Sequence, residues 1–149
     1  ISSMPTAVGF LVRNPTAVGM EGALAAADAV DRMARGVNRI TRHPLQWSIV
    51  LWAAVHLAAN GDQVSVVFFG TFLVLGLAGG VLIDRKKAAK VGADWAPFAA
   101  ATSNVPFAAI IAGRNRLVPT ELLLPIAVGL AGYALLYWAH PWLAGVAIP

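Results

Sequence analysis

The chain has 149 residues, 58% of them hydrophobic and only 12% charged. A soluble domain carries about a quarter charged residues, so this composition is that of a membrane protein, long enough for one domain. The absence of cysteine excludes disulfides and thiolate metal sites, and a net charge of +4 in such a chain marks cytoplasmic loops rather than a nucleic-acid surface.

The chain opens on Ile1, not Met, and no signal-peptide pattern follows. It is therefore expected to be a piece of a longer protein or one trimmed at its front. "PTAVG" stands at Pro5–Gly9 and again at Pro15–Gly19. Two copies of five residues build no solenoid, so residues 1–19 read as irregular and proline-punctuated. Over residues 20–40, Met20, Leu24, Val30, Met33, Val37 and Ile40 recur at roughly helical spacing. Asp28, Asp31, Arg32, Arg35 and Arg39 fall between them, which predicts an amphipathic helix lying at a membrane surface.

Pro44 suits the first turn of a helix, where a missing N–H costs nothing. The apolar run behind it predicts a membrane helix over 44–60, closed by the turn Asn60-Gly61-Asp62. This helix is short against the ~20 residues a span needs. Residues 64–83 form the clearest span, uncharged, with Gly70, Gly76, Gly79 and Gly80 for close helix packing. A basic, polar stretch follows, Asp84–Trp95. Pro97–Arg116 is apolar in patches but broken by Pro97 and Pro106, and is expected to be interfacial or re-entrant. The last span is expected over 121–140, closed by His140-Pro141. The fold class is thus all-α: an integral membrane bundle of about three transmembrane helices, an N-terminal amphipathic helix and an interfacial or re-entrant segment. Lys and Arg cluster at 32–42 and 85–116, which places those segments on the cytoplasmic side.

The three histidines carry the chemical interest. His43 and His56 lie thirteen residues apart, ~20 Å of rise on one helix, so they cannot share one small ligand. Ser48, Trp52, His56 and Asn60 fall on one face, as do Gly129, Tyr133, Tyr137 and His140 on the last span. A neutral imidazole in an apolar bundle is a good axial haem ligand. The plainer alternative for His56 and His140 is a hydrogen bond to a neighbouring helix or to interfacial water. Trp52, Tyr133, Tyr137 and Trp138 equally fit an aromatic belt. Arg42 and His43, at the start of a helix, fit either an anion or an anchor at the headgroups. No nucleophile elbow, phosphate loop or carboxylate pair is present.

Three stretches together carry a resemblance: "ITRHPLQWSIVLWAAVHLAANGD" from Ile40, "TSNVPFAAIIAGR" from Thr102, and "HPWLAGV" from His140. They resemble the NnrU family of bacterial membrane proteins, which is related to the 15-cis-zeta-carotene isomerases of plants and cyanobacteria. The resemblance runs from about Ile40 to Val146. It implies a multi-pass protein of the bacterial inner membrane, and a link to denitrification near nitrite and nitric oxide reductase functions. From the isomerase it implies haem b and a cis-to-trans change of a double bond without net redox change, on a hydrophobic small molecule. By motif match the isomerase's haem-ligand histidine falls on His56, its "RHP" histidine on His43 and its "HP" histidine on His140. Its other haem histidine lies in an earlier helix, and this chain has no histidine before His43. His140 is the expected substitute because its inferred depth matches that of His56. A second copy of the chain is the other source. Ala53 stands where the isomerase has a cysteine one turn before the ligand, which removes thiol-based ligand exchange.

Three functions follow as expectations. The first is a haem protein of isomerase type, or one that senses nitric oxide, with iron on His56 and Trp52, His140 and Tyr137 around the cofactor. The second is a non-enzymatic accessory or regulator of denitrification. The third is an S-adenosylmethionine-dependent methyltransferase using Arg42 and His43, since "RHP" opening a membrane helix also resembles the isoprenylcysteine and phospholipid methyltransferases. Those enzymes carry a C-terminal acidic pair, whereas here Asp84 is followed by basic residues.

Overall fold

A computed structural model of the chain describes residues 20–146. The "PTAVG" duplication lies outside them. All regular structure among these residues is helical: α1 (Met20–Met33), α2 (Val37–Ile40), α3 (Pro44–Ala59), α4 (Gln63–Val91), a 3-10 turn (Gly92–Asp94), α5 (Trp95–Ala101), α6 (Ala108–Ile111) and α7 (Pro119–Ala144). The chain divides into two compact units, one ending at Leu117 and one beginning at Val118.

The predicted 20–40 helix is two pieces. It stops at Met33 and resumes at Val37, with Gly36 at φ 57° between them. Glycine takes that left-handed backbone without the clash a Cβ would cause.

Helices α3 and α4 form an antiparallel hairpin. His43 stands at the N-cap of α3, with Pro44 in its first turn. At the turn, Asn60 N–H donates to the His56 carbonyl and Asp62 caps α4 by accepting from Ser65 N–H at 2.9 Å. The two hydrogen bonds from Ser65, one backbone and one side-chain, hold the Asp62 carboxyl below its ordinary value of 3.8. The seam is closed by glycine. A Cβ on Gly76 would sit 2.7 Å from Val50 Cγ2 and 3.3 Å from the Gln46 carbonyl oxygen, and Ala53 is fully buried. Close approach of two apolar helices through small residues is how helices associate in lipid.

Helix α4 outruns the expected 64–83. It continues through Asp84-Arg85-Lys86-Lys87 to Val91 and ends where Gly92 takes φ 67°. Lys, Arg and Ala are good helix formers, so the basic stretch extends the rod instead of forming a loop. The Pro97–Arg116 stretch is a short helix, α5, then an irregular loop, Thr102–Phe107, then α6.

Two stretches, Gln63–Ala101 and Pro119–Ala144, are long and apolar enough to cross a membrane by length and composition. Helix α3, with 16 residues, covers about 24 Å at 1.5 Å per residue, short of the ~30 Å hydrocarbon core. Three polar side chains along this hairpin bond to backbone carbonyls four residues earlier. Ser48 donates to the Pro44 carbonyl, Asn60 to His56 and Thr71 to Val67. This is the local satisfaction that an apolar surround requires. Helix α7, in its own unit, runs Pro119–Ala144 against an expected 121–140 and carries Pro125 and Pro141 internally.

Candidate functional site

Two of the motif stretches meet in space. "ITRHP" and "TSNVPF" lie side by side, with Arg42 N–H donating to the Ser103 carbonyl at 2.9 Å and Phe107 N–H to the Ile40 carbonyl at 2.8 Å. The Thr41 hydroxyl and the Trp47 indole N–H both donate to the Asn104 carbonyl, at 2.6 and 2.8 Å. Phe107 is held at φ 63°, a backbone conformation that costs a bulky residue of order 1–3 kcal/mol and persists only where the surround fixes it. The "GR" that ends the second motif closes α5. Arg114 donates to the carbonyls of Ala100 and Thr102, and Asn115 to that of Ala101. These are helix-end carbonyls with no partner within the helix.

This scaffold delivers a charged centre that the sequence reading did not assemble. The His43 Nε2–H donates to Asp84 Oδ1 at 2.7 Å, and Arg42 Nε faces Asp84 Oδ2 at 3.1 Å, off the hydrogen-bonding axis. Arg42 Nη1 donates to the Ala99 carbonyl at 3.0 Å and to the Thr102 hydroxyl at 3.3 Å. His43 is buried, and Thr102 completely so. Burial pushes the Arg42 pKa down; Asp84 pulls it back up and nearby Arg114 lowers it further. The carboxylate that Arg42 and His43 meet is therefore one of the chain's own. A readable signal existed for it. Gly76, Gly80 and Asp84 recur every four residues and lie on one face of α4, against Val50, Asn104 and the Arg42–His43 pair in turn.

The second centre surrounds His56 in the last turn of α3. The His56 ring stacks on Phe69 of α4 at 4.7 Å and tilts over Trp52 at 5.0 Å. Trp52 also meets Phe69 and Phe72 edge-on, at 5.1 and 5.6 Å. His56 Nδ1 lies 2.8 Å from the Trp52 carbonyl oxygen. A carbonyl only accepts, so Nδ1 carries the proton and the Nε2 lone pair of the neutral ring is left for another partner. Metal-binding histidines are commonly oriented in this way. An apolar groove of about 560 Å³ opens nearby on α4, lined by Val64, Val67, Phe68, Thr71 and Phe72. Phe69, which the sequence reading did not single out, is the residue that fixes the imidazole plane.

In the C-terminal unit, His140 Nδ1 donates to the Val146 carbonyl at 3.0 Å, just past the helix end at Gly145. Tyr137 lies 6.0 Å from Tyr133, ring to ring, and both are exposed. His140 thus has the same tautomer as His56.

The model of the NnrU protein family matches residues 2–148. The chain belongs to the NnrU family. This NnrU chain is also similar to the chloroplastic 15-cis-zeta-carotene isomerase of Arabidopsis thaliana, 31% identical over 120 residues, which are 74% of this chain and 31% of that protein. The corresponding protein of Zea mays is 35% identical over 82 residues, 55% of this chain and 22% of that one. The chain therefore spans about a third or less of the length of these relatives. No solved structure matches.

Proposed function

We propose that this NnrU protein is a membrane-embedded isomerase that acts on a cis double bond of a long unsaturated hydrocarbon. The bacterial inner membrane is its place, with the basic end of α4 on the cytoplasmic side. The observation that carries the reading is the His56 imidazole, packed on Trp52 and Phe69 with Nδ1 on the Trp52 carbonyl, which leaves the Nε2 lone pair for another partner. The likeness to carotene isomerases supports the reaction class.

A single fixed imidazole in an apolar, aromatic surround is the kind of donor that would hold a haem b. His56 would hold the group through Nε2. When bound, the haem supplies a Lewis-acidic iron that can polarise a double bond. The chain's own residues do the rest. Trp52, Phe68 and Phe72, packed edge to face, provide an apolar aromatic surface against which a polyene lies without losing any hydrogen bond. The open apolar groove on α4 offers a hydrocarbon surface to the chain that lies along it. The Arg42–Asp84–His43 centre locks the far end of the hairpin, so that the Trp52–Phe69 seam is held at fixed register.

Membranes carrying the chain should convert 15-cis-zeta-carotene to the isomer whose 15 double bond is trans, followed by chromatography. His56→Ala should reduce conversion at least ~100-fold, the usual scale for loss of a metal ligand or its orienting partner. Equal conversion by wild type and variant contradicts the proposal.

A further inference from the structure

Beyond the Asp84 centre, α4 carries Arg85, Lys86, Lys87 and Lys90, all exposed. At 100° per residue these four cover an arc of roughly 200°, and Asp84 lies roughly 160° from the middle of that arc. The helix therefore sorts its charges. Asp84 turns inward to Arg42 and His43, continuing the Gly76–Gly80 face, while the four cations turn outward. The next acid, Asp94, stands past the helix end at Gly92.

Distance along the rod sets where these cations lie. The uncharged run Val64–Ile83 is ~30 Å long at 1.5 Å per residue, the thickness of a hydrocarbon core. Arg85–Lys90 then emerge within the first ~10 Å beyond it, at the depth of the headgroups. Their long stems can lie along the apolar boundary while the charges reach the phosphates. Four clustered cations directly abutting a span are the composition that attracts anionic lipid.

We propose that the outward face of α4 at Arg85, Lys86, Lys87 and Lys90 binds anionic phospholipid headgroups of the leaflet from which the helix emerges. The proposal rests on the reading of α4 as a membrane span. A nucleic-acid partner fits less well, because the patch is continuous with an exposed apolar rod that would be in lipid.

The test uses the full chain in phosphatidylcholine bilayers with trace spin-labelled phosphatidylglycerol or phosphatidylcholine, read by electron paramagnetic resonance. Wild type should prefer phosphatidylglycerol by on the order of tenfold. The preference should shrink towards one in molar salt, where the Debye length is ~3 Å. The variant Arg85→Gln, Lys86→Gln, Lys87→Gln, Lys90→Gln should lose it, and the charge-keeping variant Lys86→Arg, Lys87→Arg should keep it. Millimolar inorganic phosphate should not displace the lipid. No preference in wild type, an unchanged preference in the glutamine variant, or full displacement by free phosphate overturns the proposal. Alkaline carbonate extraction of the same bilayers separates the two ideas. If the chain is stripped off, the span reading fails and the proposal with it. If the chain stays but shows no preference, the lipid site alone fails.

Discussion

Asp84 shows how much one residue decides. It ends the apolar run within α4, and without it Arg42 and His43 would be donors with no carboxylate to meet. Asp84→Asn keeps the shape but removes the charge. It should destabilise the N-terminal unit by about 1–3 kcal/mol, the cost of leaving buried polar groups poorly matched. Denaturant titration in detergent measures this. His56 lies at the opposite end of α3, so haem content per folded chain should be unchanged. A parallel loss of both would mean that the two centres are not independent. The same residue marks a limit of sequence reading. Arg42 and His43 were legible as a charged pair at a helix start, with an anion as one candidate partner. That the anion is Asp84 required knowing the hairpin register, which sets residues 42 and 43 beside residue 84.

The hairpin makes two predictions at the scale of elements. Gly76→Ala should destabilise by about 1–3 kcal/mol, because its Cβ meets the Val50 side chain and the Gln46 backbone and the helices must part. Gly70→Ala has open space around its Cβ and should be neutral or stabilising by up to about 1 kcal/mol, from helix propensity alone. Thermal unfolding of the pair checks the contrast. The turn carries a pH dependence. Asp62 has a lowered pKa in the folded chain because Ser65 stabilises its charged form. Its contribution to stability is therefore present above the unfolded value and is lost as pH falls through the lowered folded value. Protection of the Ser65 amide, measured as its exchange rate against the intrinsic rate at each pH, should fall in acid below pH 3.8, whereas Asp62→Asn should show a much weaker acid response. The apolar runs, Pro44 and the Asn60–Asp62 turn were all readable, since each rests on local chemistry. The break at Ala34–Gly36 and the helical course of Asp84–Val91 were not. Charge suggests a loop, but Lys, Arg and Ala propagate a helix equally well in water.

At the scale of the whole molecule, the family signature divides into scaffold and site. "ITRHP", "TSNVPF" and "GR" tie the start of α3 to the end of α5 through backbone and side-chain hydrogen bonds. The ring of His56, further along the first motif, is held by Trp52 and Phe69 instead. Sequence could flag these stretches together, but not say which residues hold the fold and which face a ligand. That distinction comes from partners. Arg42, His43 and Arg114 bond to groups within the chain, whereas His56 bonds through Nδ1 and leaves the Nε2 lone pair for another partner. The central proposal is that His56 would hold a haem b through Nε2. The most direct test is the absorption spectrum and pyridine haemochrome of the detergent-purified chain after haem b reconstitution, for wild type and His56→Ala. The account predicts a stoichiometric haem b with a Soret band in wild type that is lost or shifted in His56→Ala. No bound haem in wild type, or identical spectra for the two, would contradict it.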